Sequence, residues 1–334
     1  MLAKLILVTG ANGFIAAHCV QQLLQRGYRV RGTIRSESKG THLKKIFSKH
    51  VNQLELVIVS DITAKGAFNE AVKGVDAVLH VASPFFNPKG DVYEELINPA
   101  IRGTVGVLQS VHDNNDSQCS RVVVTSSFAS VVDTKNRPED HRYTEADWNN
   151  TNKSEDGGML AYRASKVMAE RAAWEFVKEA NPKFDLVTIC PPLVIGPLLH
   201  ETNGVEQLNT SNNSIWGLLS GKAKPVAAMG FVDVRDVAKS HVLALEVPEA
   251  GGKRFLCASD YKSFAEIADM LRKMYPKEPI QTGSSPYPVH ATIDTCRIKE
   301  ILKMDFIPLE ESLKATCDEL LALRDAGVTQ QNHL

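Results

Sequence analysis

Residues 5–16 constrain the fold more than any other part of this 334-residue chain. The apolar run Leu5–Thr9 is rich in branched side chains, as is typical of a parallel strand that is buried on both faces. It leads into a turn with Gly10 and Gly13 and then into an amphipathic helical pattern over residues 14–26. Free N–H groups and the helix dipole at such a turn favour a bound pyrophosphate. We therefore predict a dinucleotide-binding strand, turn and helix at this end of the chain.

The composition excludes several classes of protein. Hydrophobic residues make up 43% of the chain and charged residues 23%, which is ordinary for a globular protein. The 38 basic residues balance the 39 acidic ones, so we expect no nucleic-acid partner and no membrane-binding patch. No apolar run approaches the ~18 residues of a membrane span, and the start of the chain lacks a signal-peptide pattern. Six scattered cysteines without a C-x-x-C pair indicate reduced thiols in the cytoplasm and no metal site.

Strand-like and helix-like segments alternate along the first part of the chain. This alternation predicts parallel pairing with right-handed crossovers, and hence an α/β fold with a doubly wound sheet. The predicted strands are Leu5–Thr9, Arg29–Ile34, Leu54–Val59, Ala77–Ala82, Arg121–Ser126 and Leu186–Cys190. The main helical patterns are Phe14–Arg26, Val92–His112 and Leu160–Glu179, and the polar segment Asp133–Gly158 is predicted to be a long loop.

The pattern changes after Cys190, where the proline-rich segment 191–197 cannot continue a strand or a helix. We expect the chain to leave the sheet here and form a smaller substrate-binding lobe, which covers the open end of the cofactor cleft. We assign residues 1–190 and 232–258 to the dinucleotide-binding domain, and 191–231 and 259–334 to the lobe. Helical patterns over 263–274, 296–302 and 309–326 belong to this last part, and Ser263 with Glu266 predicts a capping box.

Two further patterns suggest acid–base chemistry. Tyr162 and Lys166 are four residues apart in a helical pattern, so they share a face, where an ammonium would lower the pKa of the phenol. Ser126 and Ser127 end the fifth predicted strand, at the sheet edge where ligands bind in open α/β folds. A hydroxyl there can donate to a carbonyl oxygen that gains charge. Each pattern alone is better explained by ordinary helix and turn structure.

Together the three patterns resemble the extended branch of the short-chain dehydrogenase/reductase superfamily. The G-x-x-G-x-x-A turn, the serine at the strand end and Y-x-x-x-K occur in the expected order over nearly the whole chain. Segments 80–85, 191–197 and 233–238 resemble the subfamily of dihydroflavonol, cinnamoyl-CoA and fungal methylglyoxal/carbonyl reductases. Segments 12–16 and 173–176 favour the fungal carbonyl reductases.

The resemblance implies a Rossmann-type sheet and a set of site residues. Ser127 would polarise the substrate carbonyl, although Ser126 is an adjacent alternative, Tyr162 would donate the proton, and Lys166 would assist Tyr162 and bind the nicotinamide ribose. The usual catalytic Asn cannot be placed. Besides Tyr162 and Lys166, the implied cofactor contacts are Gly10, Asn12, Gly13, Phe14, Ile15, Asp61, Ile62, Ala82, Ser83, Pro192 and Val194.

The residues after the second strand predict the cofactor. An NAD-selective domain carries an acidic residue at this position, about 20 residues after the glycines. This chain has Arg35, followed by Lys39, and no acidic residue before Glu37. A guanidinium binds phosphate oxygens with two parallel hydrogen bonds, so we predict NADPH rather than NADH. The alternative is that both cations are ordinary surface charges.

We therefore expect an NADPH-dependent reductase of small-molecule aldehydes or ketones, as a monomer or a homodimer. Phe85, Phe128 and Trp216 are predicted to form an apolar wall around the substrate, unless these rings are simply packed in a core. Two other functions stay open. One is a sugar-nucleotide epimerase or dehydratase that retains NAD, and the other is a dinucleotide-sensing regulator without turnover.

Overall fold

The predicted Rossmann-type sheet is present. A computed structural model describes residues 4–83, 90–114, 118–150, 158–287 and 289–331, with side chains up to residue 327. The main sheet has seven parallel strands in the order β10-β7-β5-β4-β1-β2-β3. These strands are β1 Leu5–Val8, β2 Arg29–Ile34, β3 Leu54–Ile58, β4 Ala77–His80, β5 Arg121–Thr125, β7 Asp185–Cys190 and β10 Lys253–Leu256. The strand order reverses between β1 and β4, which is where ligands bind in open α/β sheets.

Helices cover both faces of this sheet. They are α1 Phe14–Gln25, α2 Thr41–Ile46, α3 Asn98–Asp113, α4 Gly158–Ala180 and α6 Val234–Glu246. Successive strand residues point to opposite faces, so in β1 Ile6 and Val8 pack in the core with α1 and α6. Leu5 and Leu7 pack in the other core, with α3 and α4. Burial on both faces explains why β1 is a continuous apolar run.

The lobe has its own sheet and core. The sheet has the order β11-β9-β8, with strands β8 Leu193–Ile195, β9 Ala228–Asp233 and β11 Asp260–Ser263. Around it lie α5 Thr210–Leu219, α7 Phe264–Met274 and α9 Leu309–Gln331, whose apolar side chains form one cluster. The short strands β6 Arg142–Tyr143 and β12 Thr292–Ile293 pair with each other. The predicted capping box of Ser263 and Glu266 begins α7.

The structure differs from the prediction at four places. One is the short strand β6, which lies inside the segment Asp133–Gly158 that was predicted to be a loop. A seventh strand, β10, extends the main sheet, whereas only six were predicted. The lobe contains a sheet that the sequence pattern did not indicate. Helix α8, Cys296–Leu302, was assigned to the lobe, but Ile298, Leu302 and Met304 pack in the core of the main domain. Within the described ranges, no helix is both long and apolar enough to cross a membrane.

Candidate active site

The glycine turn lies at the carboxyl end of β1, between β2 and β4. Gly10 has φ +63°, a left-handed conformation that glycine adopts without strain, and a Cβ there would lie 3.1 Å from the Cβ of Ala82. The Gly10 N–H donates to Thr33 Oγ1 at 2.9 Å, and the Gly13 N–H donates to the Gly10 carbonyl at 2.8 Å. Gly13 is exposed and precedes the first turn of α1. The turn therefore presents a helix N-terminus to solvent with no side chain in the way, as a pyrophosphate requires.

The other predicted cofactor residues lie along the same edge of the sheet. Asn12, Phe14 and Ile15 are partly buried at the start of α1. Arg35 and Lys39 are exposed just beyond β2. Asp61 lies beyond the neighbouring strand β3, and hydrogen bonds from Thr63, aided by Arg102 and Arg35, hold the pKa of its carboxyl below the usual value. Ile62 packs beside α3.

Ser127, Tyr162 and Lys166 come together above the carboxyl end of β5. Ser127 caps a single 3₁₀ turn, and its Oγ accepts from the Ala129 N–H at 3.1 Å. The Tyr162 hydroxyl lies 3.4 Å from Ser127 Oγ. Lys166, one turn later on α4, donates to Ser83 Oγ at 3.0 Å, and its Nζ lies 5.9 Å from the centroid of the Tyr162 ring. A phenol, an aliphatic hydroxyl and an amine thus share one end of the sheet.

Burial sets the protonation of these groups. It raises the pKa of Tyr162, an effect that the hydrogen bond with Ser127 only partly opposes, so the phenol stays protonated at neutral pH. We expected Lys166 to lower this pKa, but its ammonium is turned toward Ser83 and desolvation prevails. Burial also lowers the pKa of Lys166 to about 8, although Glu170 opposes this shift. The tyrosine is therefore present as an acid, beside a lysine that titrates close to neutrality.

The two adjacent serines point in different directions. Ser126 donates to Glu170 at 2.6 Å, whereas Ser127 faces Tyr162. The geometry therefore favours Ser127 as the residue that contacts substrate. Glu170 and its ion-pair partner Arg254, at 2.7 Å, were not among the predicted site residues. Glu170 could have been noticed as the next position, after Tyr162 and Lys166, in a series with a spacing of four, but nothing in the sequence indicates Arg254.

Two of the three aromatic rings of the predicted substrate wall belong to the described residues. Phe85 lies outside the described residues. Phe128 is 6% exposed and packs edge-on against Tyr143, with ring centroids 5.3 Å apart. Trp216 is 7% exposed and belongs to the lobe core. Both rings thus lie in packed clusters, as the alternative that we kept predicts, and a contact of either ring with substrate stays a prediction.

The two implied cofactor contacts after β7 differ from each other. Pro192 is partly exposed, next to Pro191, whose carbonyl accepts from the Phe128 N–H at 2.9 Å. It therefore lies close to the turn that carries Ser127. The side chain of Val194 is buried in the core of the main domain, so it could contact a cofactor only through its backbone.

Comparisons with known proteins agree with this geometry. The sequence profile of the NAD dependent epimerase/dehydratase family matches residues 6–258. A ketoreductase of Aspergillus niger is 40% identical over 286 residues, which is 83% of this chain and 84% of the relative. An NADPH-dependent methylglyoxal reductase of Saccharomyces cerevisiae is 32% identical over 335 residues, covering 95% and 98% of the two chains.

A solved structure extends the likeness to three dimensions. The crystal structure of the yeast methylglyoxal/isovaleraldehyde reductase complexed with NADPH superposes with a TM-score of 0.87. The two sequences are 31% identical, and the alignment covers 96% of this chain and 98% of the other. These relatives include the fungal reductases that the sequence motifs resemble, so the predicted resemblance is confirmed. The chain belongs to the NAD dependent epimerase/dehydratase family.

Proposed function

We propose that this protein is an NADPH-dependent carbonyl reductase, which transfers a hydride to an aldehyde or ketone to give an alcohol. The observation that carries the proposal is the meeting of Ser127, Tyr162 and Lys166 at the sheet edge that also holds the glycine turn. Two relatives support it, one named as a ketoreductase and one named as a methylglyoxal reductase. The alignment with the methylglyoxal reductase covers 98% of that relative.

The cofactor prediction is confirmed: NADPH is the cofactor named for the yeast reductase and is bound in its crystal structure. The residues of this chain fit it, because exposed Gly13 leaves room for a pyrophosphate and two cations lie exposed beyond β2. Arg35 and Lys39 would hold the 2′-phosphate, and Lys166 would hold a ribose hydroxyl. NADPH, when bound, supplies the hydride that reaches the carbonyl carbon.

The side chains of the protein act on the carbonyl oxygen. The Ser127 hydroxyl, already oriented by the Ala129 N–H, donates a hydrogen bond as the oxygen gains charge. Tyr162, which burial keeps protonated, gives its proton to the same oxygen. Lys166 then stabilises the phenolate that remains. Hydride at carbon and proton at oxygen together convert the carbonyl to an alcohol.

The substrate class is the finer part of the proposal. We propose broad use of uncharged, fairly hydrophobic carbonyls such as methylglyoxal, in the cytoplasm. The names of the relatives, which include methylglyoxal and isovaleraldehyde, support this class. A contact between substrate and Phe85 stays a prediction.

The experiment tests a panel of carbonyl substrates with NADPH and with NADH. The rate of each reaction is measured as the loss of absorbance of the reduced cofactor. We expect oxidation of NADPH with small aldehydes and ketones. The control is Tyr162→Phe, which should lower kcat by at least ~100-fold, the lower range for general acid catalysis. Because the phenol does not hold the phosphates, the affinity for NADPH should change little.

Two outcomes would contradict the proposal. Protein that is purified with tightly bound NAD and does not release it would indicate the sugar-nucleotide epimerases and dehydratases, which the family name also covers. Tight NADPH binding without turnover of any carbonyl would indicate a regulator.

A further inference from the structure

A buried carboxylate lies directly behind the candidate catalytic residues. Glu170 is 1% exposed and follows the candidate catalytic lysine by one turn of α4. Its Oε2 accepts from the Ser126 hydroxyl at 2.6 Å and lies 2.5 Å from the Ser130 hydroxyl. These two serines flank the turn that carries Ser127, so one carboxylate oxygen contacts both ends of that turn.

Glu170 thereby joins the two elements whose separation sets the geometry of the site. Helix α4 carries Tyr162 and the 3₁₀ turn carries Ser127, and their hydroxyls are 3.4 Å apart. At the entry to the turn, backbone N–H groups of residues 126 and 128 donate to carbonyls of residues 189 and 191. At the exit, the Ser130 hydroxyl lies 2.8 Å from the Ser127 carbonyl and within hydrogen-bond distance of Glu170. The carboxylate therefore links the exit of the turn to α4.

The charge of Glu170 has a buried partner. Arg254 Nε donates to Oε1 at 2.7 Å, and the guanidinium lies 3.6 Å from the centroid of the Trp148 ring. Arg254 also donates to the carbonyls of Glu145 and Asp147, at 2.8 and 3.0 Å. Burial raises the pKa of Glu170, but Arg254 and the serine hydrogen bonds outweigh that effect and hold the pKa below its usual value. A charged acceptor binds hydroxyl groups more strongly than a neutral one.

We propose that Glu170 is a positioning residue, which holds Ser127 against Tyr162 through the hydroxyls of Ser126 and Ser130. The inference rests on the proposed reductase function, because Ser127 is placed for a carbonyl oxygen. Misplacing a reacting group by ~1 Å can lower the rate ~100-fold. An ion pair that served stability alone would affect the melting temperature and leave kcat unchanged.

The variants must distinguish a change in the position of Ser127 from a loss of stability of the whole fold. Replacing Glu170 would leave the charge of Arg254 buried and unpaired, which is strongly destabilising. The double variant Ser126→Ala/Ser130→Ala removes the two links to the turn and retains the ion pair. Thr188→Val is the matched control, because the Thr188 hydroxyl donates to the other carboxylate oxygen at 2.8 Å from β7, away from the turn.

The experiment measures kcat, the Kd for NADPH and the melting temperature of wild type, the serine double variant, Thr188→Val and Ser127→Ala. A triple variant adds Ser127→Ala to the serine double variant. We expect the double variant to lose kcat by about tenfold or more with little change in Kd. Thr188→Val should lose comparable stability and retain kcat. In the Ser127→Ala background the two flanking substitutions should change kcat little, since the group that they place is already absent.

The possible results separate this inference from the proposed function. If the wild type reduces carbonyls but the flanking substitutions lower kcat as much without the Ser127 hydroxyl as with it, Glu170 is not a positioning residue. The same conclusion follows if Thr188→Val loses as much kcat as the serine double variant. A wild type that binds NADPH and reduces no carbonyl would instead overturn the proposed function, and the inference with it.

Discussion

At the scale of single residues, burial determines what Tyr162 and Lys166 can do. Lys166 is desolvated between α4 and the sheet, which lowers the pKa of its ammonium to about 8 even though Glu170 favours the charged form. Below that pH the cation is present to stabilise a phenolate, and above it the cation is lost. Because burial raises the pKa of Tyr162, the phenol stays protonated through the pH range in which the lysine titrates.

This order of titration predicts the pH profile. In wild type, kcat/KM for carbonyl reduction should fall above about pH 8, because kcat/KM reports groups of the free enzyme. Lys166→Arg keeps a cation that does not lose its proton in this range, so in that variant the fall should move to higher pH. An unchanged profile in the arginine variant would assign the titration to another group.

The proposed contact between Arg35 and the 2′-phosphate predicts that this residue contributes to the choice between NADPH and NADH. Arg35→Asp should weaken NADPH binding by roughly tenfold to 100-fold, the range for hydrogen bonds to charged groups, and should affect NADH much less. Arg29→Asp is the control, because it makes the same charge change at the other end of β2, about 20 Å away. Titration with each cofactor measures both effects. Equal weakening of the two cofactors would mean that Arg35 does not contact the 2′-phosphate.

At the scale of helices and strands, the local pattern of apolar and polar residues was sufficient to predict most of the main sheet. The six predicted strands are all present in the main sheet, within a few residues of their predicted bounds. Three of them, β1, β4 and β5, are almost fully buried segments of four or five mostly apolar residues, so their hydrophobic pattern alone identifies them. The glycine turn and the pair Tyr162 and Lys166 were also predictable, because a fixed local spacing defines each of them.

Features that depend on distant contacts could not be predicted in this way. The lobe strand β8 has only three residues, β9 contains a glycine, and β11 is mostly polar, so their pairing rather than a local pattern identifies them. Arg254 meets Glu170 across 84 residues of sequence, and no local pattern indicates such a pair. The sequence positions of Phe128 and Trp216 suggested a contact with substrate. In the structure both rings pack in core clusters, which only the contacts with distant residues reveal.

Strand β2 has a tight contact with the glycine turn that leads to a further prediction. A Cβ at Gly32 would lie 2.7 Å from the Cβ of Ala11 and 2.9 Å from Leu56 Cδ2. Gly32→Ala should therefore lower the free energy of unfolding by ~1–3 kcal/mol, as overpacking does. It should also raise the Kd for NADPH, because Ala11 belongs to the turn. Chemical denaturation and cofactor titration measure these effects.

Gly327 provides the control for this substitution. It lies exposed on α9, and a Cβ there would meet nothing within 4 Å. Gly327→Ala should keep or raise stability, by up to roughly 1 kcal/mol, since glycine is unfavourable inside helices. If Gly32→Ala is as harmless as Gly327→Ala, the turn tolerates displacement and its contact with β2 does not control cofactor binding.

At the scale of the whole molecule, the main domain and the lobe are interleaved in the chain. Strand β9 pairs within the lobe sheet, and α6, which follows it directly, packs in the main core. Helix α8 also packs on the main domain, whereas α9 returns to the lobe. Asp236 of α6 accepts from the backbone N–H of Ile307 at 2.7 Å, in the connection between α8 and α9. One buried carboxylate thus contacts the segment that joins the two parts.

The ionisation of Asp236 should make this junction sensitive to pH. Burial, with some repulsion from Asp233, raises the pKa of Asp236 from 3.8 to about 6. The folded state therefore binds more protons than the unfolded state between these values, and this stabilising contribution is lost as pH rises through the window. In Asp236→Asn the amide oxygen can still accept from Ile307, and no charge forms. The melting temperature of the variant relative to that of wild type should therefore rise between about pH 4.5 and about pH 7.5. A constant difference for Asp236→Asn would show that this carboxylate does not titrate in that window.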